Sequence, residues 1–125
     1  MEIEVLEKEF SVIKLNDASE IDLSKPFTFA AITDEEISLV CETQYAPSCA
    51  VACEHGWKGF RVSGELDFSL IGIIYDIARI LKQEEISLFV LSTYVTDYIL
   101  VKSRYLEKAL RALEQSGYAI KLVDL

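Results

Sequence analysis

Three cysteines and one histidine are the side chains of this sequence best suited to chemistry, since thiols and imidazoles act as nucleophiles, bases and metal ligands. Cys49, Cys53 and His55 lie close together, and Cys41 precedes them. A zinc site needs a fourth ligand and usually pairs its ligands at short gaps, and only Cys41 remains to complete this set. We therefore expect no metal, and favour small apolar thiols on a short helix beside a surface histidine.

Groupings that would indicate an enzyme are weak. His55 falls in a predicted glycine-flanked loop, and no motif joins it to a serine or gives it a recognised spacing to a cysteine. The paired acids Glu35-Glu36 and Glu84-Glu85 precede strands, where such pairs are usually solvated turns. Phosphate-binding loops, dinucleotide fingerprints and metal signatures are absent from the sequence. We expect a protein that is not an enzyme and uses no cofactor.

The charge balance argues against several classes of partner. The 125 residues contain 21 acidic and 12 basic side chains, a net charge of −9, and no basic stripe interrupts this excess. Such a field repels phosphate backbones and anionic lipid, so we expect neither nucleic acid nor membrane as a partner. No apolar run approaches the ~20 residues that cross a bilayer. The acidic N-terminus differs from a signal peptide, so we expect a cytoplasmic protein with reduced thiols.

In the first half of the chain, apolar alternation predicts strands separated by polar segments. Two short strands are expected around a turn at residues 7–9, followed by a polar loop at 16–26 that holds at most one helical turn. A hairpin joins strands at 27–32 and 37–41. Residues 45–55 fit no clear pattern and are interpreted as a short irregular helix after Pro47.

The second half carries clearer periodicity. Apolar residues at helical spacing predict a helix near residues 69–81, with Asp67 or Ser69 as its N-cap. Strands are expected at 86–93 and 98–102. Ser103 is the predicted cap of a second helix that Gly117 ends, because a left-handed residue is needed there. A last strand follows at residues 118–123.

The order of these elements predicts the fold class. From Phe60 onward it is β-α-β-β-α-β, the split βαβ arrangement of ferredoxin-like folds. Residues 29–42 and 89–102 have equal length, and both begin with Phe and carry Thr in the middle. We predict an α+β protein of two ferredoxin-like βαββαβ subdomains in tandem, with antiparallel sheets, helices on one face and a degenerate first copy. The predicted domains are 1–56 and 57–125.

Two segments resemble a known family. They are WKGFRVSGELDFSLIG, which starts at Trp57, and ISLFVLSTYVTDYILV, which starts at Ile86. Both are similar to the ACT domain, notably in small bacterial tandem-ACT proteins and the ACT repeats of the CASTOR arginine sensors. A more distant likeness extends to the regulatory domains of aspartate kinases. The resemblance covers residues 57–123 well and residues 1–56 loosely.

The resemblance implies a non-catalytic regulatory module. ACT domains typically pair side by side, and free amino acids bind between the first strand-to-helix loop of one domain and the second strand of another. It therefore implies an amino-acid ligand, a homodimer and a regulated protein partner of unknown identity. Carried over onto this sequence, the ligand-binding residues are Asp67, Phe68, Ser69, Leu70, Ile71 and Gly72 in the loop, and Ser92, Thr93, Tyr94, Thr96 and Asp97 at the strand end.

The chemistry of these residues is compatible with that role. A helix start attracts a carboxylate, and Asp97 accepts hydrogen bonds from an ammonium group, with Ser92 and the threonines alongside. Each also has a purely structural interpretation, because Asp67 and Ser69 are ordinary helix caps and Asp97 suits a hairpin turn. The alternative function is a structural or protein-interaction ACT module without a ligand.

Overall fold

Seven strands and two α-helices occupy the residues that the computed structural model describes, which are 1–48, 50–63 and 72–123. In chain order the elements are β1 Glu2–Leu15, β2 Phe29–Ile32, β3 Ile37–Glu42, β4 Ala52–Val62, α1 Ile73–Gln83, β5 Phe89–Ser92, β6 Asp97–Lys102, α2 Leu106–Gln115 and β7 Ala119–Val123. Within these residues, no helix is long and apolar enough to cross a lipid bilayer.

The chain divides into two compact units. The larger unit comprises residues 1–7 and 58–125, and the smaller unit comprises residues 8–57. The strands β1 and β4 each contribute residues to both units, because the boundaries fall within them.

In the larger unit the strands follow the order β7-β1-β4-β6-β5. Strands β5 and β6 form an antiparallel hairpin, whereas β7 runs parallel to β1 with Glu2 opposite Ala119. From β4 onward the elements are strand, helix, two strands, helix and strand, in the order that the sequence predicts.

The core of the larger unit lies between one face of this sheet and the two helices. Every second residue of the strands points into it, and both helices turn one apolar stripe toward it. Its buried members include Ile3, Val5, Phe60, Val62, Ile77, Ile80, Leu81, Ile99, Val101, Ala109 and Leu113. Ile77 is fully buried, which confirms the predicted phase of the first helix.

In the smaller unit the order is β2-β3-β1-β4. Its core is a small apolar face on which Ile13 lies opposite Leu39 and Ser11 lies opposite Cys41. Helical structure among its described residues is limited to 3-10 turns at Ala18–Glu20 and Thr43–Tyr45. The α+β class is therefore confirmed, but the tandem βαββαβ arrangement is not, because this unit lacks the helices of a full copy in the part described.

The predicted turn at residues 7–9 is wrong, since β1 runs through it as one strand of 14 residues. Two contacts hold the charged side chain at its centre. The Lys8 ammonium lies 3.6 Å from the Glu42 carboxylate and 5.6 Å from the centre of the Phe27 ring. Charged residues in mid-strand are stable when one side of the strand offers such partners.

The predicted helix within residues 45–55 is also wrong. Residues 52–62 form β4, so Cys53 and His55 stand on a strand and not on a helix or in a loop. Gly56 follows His55 with a φ of 82°, inside the strand. Glycine in this left-handed conformation is typical of a β-bulge, which changes the direction of neighbouring side chains.

The two predicted helix starts differ from the observed ones. Helix α1 begins at Ile73 after Gly72, whose φ of 90° makes it a left-handed N-cap, so the expected start near Ser69 is wrong. Helix α2 begins at Leu106, because Ser103–Tyr105 form a 3-10 turn before it. The expected end of α2 is confirmed, since Gly117 has a φ of 102°.

The equal segments of the sequence form equal hairpins, one in each unit. In the β2–β3 hairpin Phe29 lies opposite Val40, and in the β5–β6 hairpin Phe89 lies opposite Leu100. Both tips are closed in the same way: the N–H of Thr33 bonds the Glu36 carbonyl at 3.0 Å, and the N–H of Thr93 bonds the Thr96 carbonyl at 2.9 Å. The two sequence segments, which begin 60 residues apart, thus have the same strand register and the same turn closure.

A polar contact joins α1 to the residue before β7. The Tyr118 hydroxyl donates to the Asp76 carboxylate at 2.6 Å, and Arg79 donates to the other oxygen of the same carboxylate at 2.8 Å. Burial, followed by this hydrogen bond, raises the pKa of the Tyr118 phenol from 10.0 to about 12. The hydrogen bonds from Tyr118 and Arg79 lower the pKa of Asp76.

Replacing Ile77 with Ala is expected to lower the free energy of unfolding by about 2–5 kcal/mol, because it leaves a cavity in the core of the larger unit. Chemical denaturation measures it. Gln83→Ala, an exposed change at the end of the same helix, is the control and is expected to shift stability by less than about 0.5 kcal/mol. Equal effects of the two changes would contradict the buried placement of Ile77.

Tyr118 is expected to remain protonated in alkali until the pH approaches about 12. Since its folded pKa exceeds the unfolded value of 10.0, the stabilisation is complete below that value and is lost as the pH rises through about 12. Absorbance titration of tyrosinate measures this, and Tyr118→Phe should remove one phenol from the late phase. A late phase that persists in Tyr118→Phe would contradict the assignment.

Candidate functional site

The tip of the β5–β6 hairpin is fixed to the end of β4. The Thr96 hydroxyl donates to the Val62 carbonyl at 2.7 Å, and both residues are buried. The chain continues from β4 into residues 64–71, which include all of the predicted loop residues except Gly72. In addition to the pairing of β4 with β6, this bond joins the hairpin tip to the end of β4.

The predicted hairpin residues are already engaged with one another. The Ser92 hydroxyl donates to the Asp97 carboxylate at 2.5 Å, and the Thr93 hydroxyl donates to the Thr96 carbonyl at 3.0 Å. A hydroxyl has only one proton to donate. The donors of Ser92, Thr93 and Thr96 are therefore used within the protein. Thr96 is buried, whereas the exposed Ser92 and Thr93 offer lone pairs outward.

Asp97 is half-buried and keeps capacity for further bonds. A carboxylate accepts at about four lone-pair positions, and Ser92 occupies one of them. Tyr94, by contrast, is 90% exposed at the tip. The structure thus brings Ser92, Thr93, Thr96 and Asp97 into one hydrogen-bonded turn and leaves Tyr94 outside it.

The predicted loop is described only at its last residue. Gly72 is exposed, and a side chain added there would meet no atom within 4 Å. No side chain among the described residues caps this end of α1. The other predicted loop residues, Asp67, Phe68, Ser69, Leu70 and Ile71, lie outside the described residues.

An open groove in the larger unit lies apart from these residues. It has a volume of about 240 Å³ and runs between α2 and β7. Charged side chains form most of its lining, which comprises Glu107, Leu110, Arg111, Glu114 and Ile120. None of the predicted ligand-binding residues contributes to it.

The smaller unit contains a polar cluster that the sequence does not indicate. The hydroxyl of buried Ser11 lies 2.6 Å from Nδ1 of His55 and 2.8 Å from the hydroxyl of Thr43. His55 therefore has a serine partner, because β-sheet pairing brings together residues 44 positions apart. No sequence motif marks such a pair.

The polar cluster of Ser11, Thr43 and His55 adds no metal ligand beyond the cysteines and the histidine considered in the sequence analysis. Cys53 is exposed and lies against His55, and Cys41 is a buried free thiol. Cys49 lies outside the described residues. Across the part of the chain that the structure describes, no three His, Cys, Asp or Glu side chains are arranged to hold an ion.

A family model described as the ACT domain matches residues 52–115, which is half of the chain. The chain belongs to the ACT domain family. The matched region includes β4, the predicted loop, α1, the β5–β6 hairpin and all of α2, so the match spans both parts of the predicted site. No curated protein matches this ACT protein.

Solved structures share its fold. A crystal structure of an Agobacterium tumefaciens protein is 27% identical, with a TM-score of 0.87 over 99% of this chain and 94% of that one. A Vibrio cholerae protein of unknown function, described as a possible transport protein, is 22% identical with a TM-score of 0.72, over 91% and 88%. The ligand-free regulatory subunit of Thermus thermophilus aspartate kinase is 9% identical, with a TM-score of 0.64 over 94% and 97%.

Replacing Thr96 with Val is expected to lower the free energy of unfolding by about 1–3 kcal/mol, because the buried Val62 carbonyl loses its hydrogen-bond donor while the side-chain shape is retained. Thermal or chemical denaturation measures the change. Thr93→Val removes a similar bond at the exposed side of the tip and is expected to cost less. A Thr96→Val variant as stable as the original would show that this bond does not fix the hairpin.

Proposed function

We propose that this ACT protein is a non-catalytic regulatory module that binds a free amino acid and thereby changes its assembly or its contacts with a partner protein. The observation that carries the proposal is the hairpin tip held to the end of β4 by Thr96, within the region that matches the ACT family. ACT domains bind amino acids from a strand-to-helix loop and a strand end, and this bond joins the strand end to β4, the strand that precedes the loop in sequence.

The ammonium group of the ligand is proposed to bind at Asp97. An ammonium carries three donors and no acceptor, and the described part of the site offers the complementary set. The carboxylate of Asp97 has accepting positions besides the one used by Ser92, and the hydroxyl oxygens of Thr93 and Thr96 retain lone pairs. These hydroxyls then position the turn and accept, and they do not donate to the ligand.

The carboxylate of the ligand is proposed to bind at the loop and the start of α1. The first backbone N–H groups of a helix have no partner within it, and they attract anions through their dipoles. Gly72 is an exposed residue at that helix start, and a side chain there would meet no described residue within 4 Å. The loop residues Asp67, Phe68, Ser69, Leu70 and Ile71 are included in this proposal on the resemblance alone.

The amino acid is proposed to bind at an interface between two copies of the chain, because ACT domains typically pair side by side. We propose that the chain consists of a degenerate ACT-like half at residues 1–56 and an ACT domain at residues 57–125. Because the described smaller unit has 3-10 turns where an ACT domain has helices, we assign the binding loop to the larger unit only. A homodimer supplies the second domain that such a site needs.

A structural or protein-interaction role without a ligand is the second candidate. The hydrogen bonds within the tip favour it, because Ser92 and the two threonines have sufficient partners in the absence of any ligand. In that case Asp97 would serve the turn through Ser92, and its other accepting positions would face water.

Calorimetry with the free amino acids, chosen by a thermal-shift screen, tests the proposal. A regulator that responds near cellular concentrations requires a Kd between micromolar and millimolar, equivalent to about −8 to −4 kcal/mol. Asp97→Asn is expected to weaken binding by about tenfold or more, because a charge-assisted hydrogen bond contributes about 1.5–3 kcal/mol. Asparagine still accepts from Ser92, so the turn is retained.

Asp34→Asn is the matched control, since it removes a carboxylate from the tip of the β2–β3 hairpin, where no site is proposed. It is expected to leave the affinity unchanged. If no amino acid binds with a Kd below ~10 mM, the regulatory binding function is wrong and the structural role stands. If one binds equally well to the Asp97→Asn variant, binding is established but the site is elsewhere.

A further inference from the structure

We infer that Cys53 is a reactive thiol that exchanges with low-molecular-weight disulfides, with His55 as the base that takes its proton. This site lies in the smaller unit and is independent of the proposed amino-acid site. A chain of contacts runs from the surface thiol through the imidazole to two hydroxyls, one of them on a fully buried residue.

The thiol and the imidazole are neighbours on the surface of β4. The sulfur of Cys53 lies 3.6 Å from both ring nitrogens of His55. Both side chains are exposed, so a small reagent reaches the sulfur from solvent. A thiol beside a base, with the base oriented by a third group, is the arrangement that activates cysteine nucleophiles.

The third group is Ser11. Its hydroxyl is 2.6 Å from Nδ1 of His55, and Thr43 holds that hydroxyl in turn at 2.8 Å. Because Ser11 is fully buried, this contact fixes the ring against the sheet. When the Nδ1–H donates to Ser11 and Ser11 donates to Thr43, the lone pair on Nε2 is left to accept the proton of Cys53.

The proposed step balances as an exchange. His55 accepts the thiol proton while the Cys53 sulfur attacks one sulfur of the reagent disulfide, whose S–S bond breaks as the new one forms. Cys53 is oxidised to a mixed disulfide, and the other half of the reagent leaves as a thiolate. His55 returns the proton to that thiolate. Excess of a small thiol reverses the reaction.

Cys41 differs from Cys53 in the same unit. It lies opposite Ser11 in the sheet and is buried. Burial, with smaller contributions from Cys53 and Glu42, raises the pKa of the Cys41 thiol to about 11. The thiolate is the attacking species, so Cys41 is a slow competitor. Cys49 lies outside the described residues, so the experiment below replaces it with Ser.

The test measures the rate of reaction with dithiodipyridine, an uncharged aromatic disulfide, in the full chain carrying Cys49→Ser. The Cys53 thiol is expected to react faster in the folded chain than in the same chain unfolded in denaturant, and Cys53→Ser should abolish the fast phase. His55→Asn, which keeps a partner for Ser11 but is no base, is expected to slow it by about tenfold or more. Ser11→Ala is expected to give an intermediate rate.

Unfolded chains provide the control, because all variants that retain Cys53 should react equally in denaturant. The inference is overturned if folded Cys53 reacts no faster than unfolded Cys53, or if folded His55→Asn reacts at the original rate. The comparison of folded with unfolded Cys53 needs no substitution at His55, so it tests the inference even if the His55→Asn variant does not fold. Mass spectrometry after treatment with oxidised glutathione should place one adduct on Cys53, and an adduct on Cys41 alone would contradict the assignment.

Discussion

The continuity of β1 is the constraint on which both units depend. This one strand supplies Ile3 and Val5 to the core of the larger unit, and Ile13 and Leu15 to the core of the smaller one. Because side chains alternate across a strand, the two residues of each pair, which are two positions apart, point to the same face and are buried together. The charged residues 7–9 lie between the two pairs and are extended as part of the same strand. The contacts of Lys8 with Glu42 and Phe27 stabilise this segment.

Periodicity made the helices, the hairpins and the burial of Ile77 predictable, because local apolar spacing determines these features. The long strands were not predictable, since the charges at residues 7–9 are typical of a turn and the small residues after Pro47 are interpreted as an irregular helix. The partners that keep these segments extended are distant in sequence. The contact of Ser11 with His55 spans 44 positions and has no local signal. In the candidate site, the residue types were evident, but the use of their hydroxyl protons follows only from the folded turn.

The two hairpins show what a shared sequence pattern preserves. Both retain a threonine at the start of the turn, and its backbone and hydroxyl bond the same carbonyl three residues later. They differ at that later residue, which is Glu36 in one and Thr96 in the other. Only Thr96 has a hydroxyl that reaches the end of a neighbouring strand. A single side chain at the turn therefore gives the β5–β6 tip a bond to the end of β4 that Glu36 has no hydroxyl to make in the other hairpin.

The discontinuity of the larger unit has a consequence for folding during synthesis. Residues 8–57 are continuous, whereas the larger unit needs residues 1–7 together with 58–125. At roughly 5–20 residues per second, a ribosome completes the smaller unit several seconds before it makes β7. Until then the first residues of β1 lack their parallel partner, with Ile3 opposite Ile120 and Val5 opposite Leu122 in the finished pair. Until β7 is made, the nascent chain thus has an unpaired strand edge that carries Ile3 and Val5, which is the kind of surface that chaperones protect.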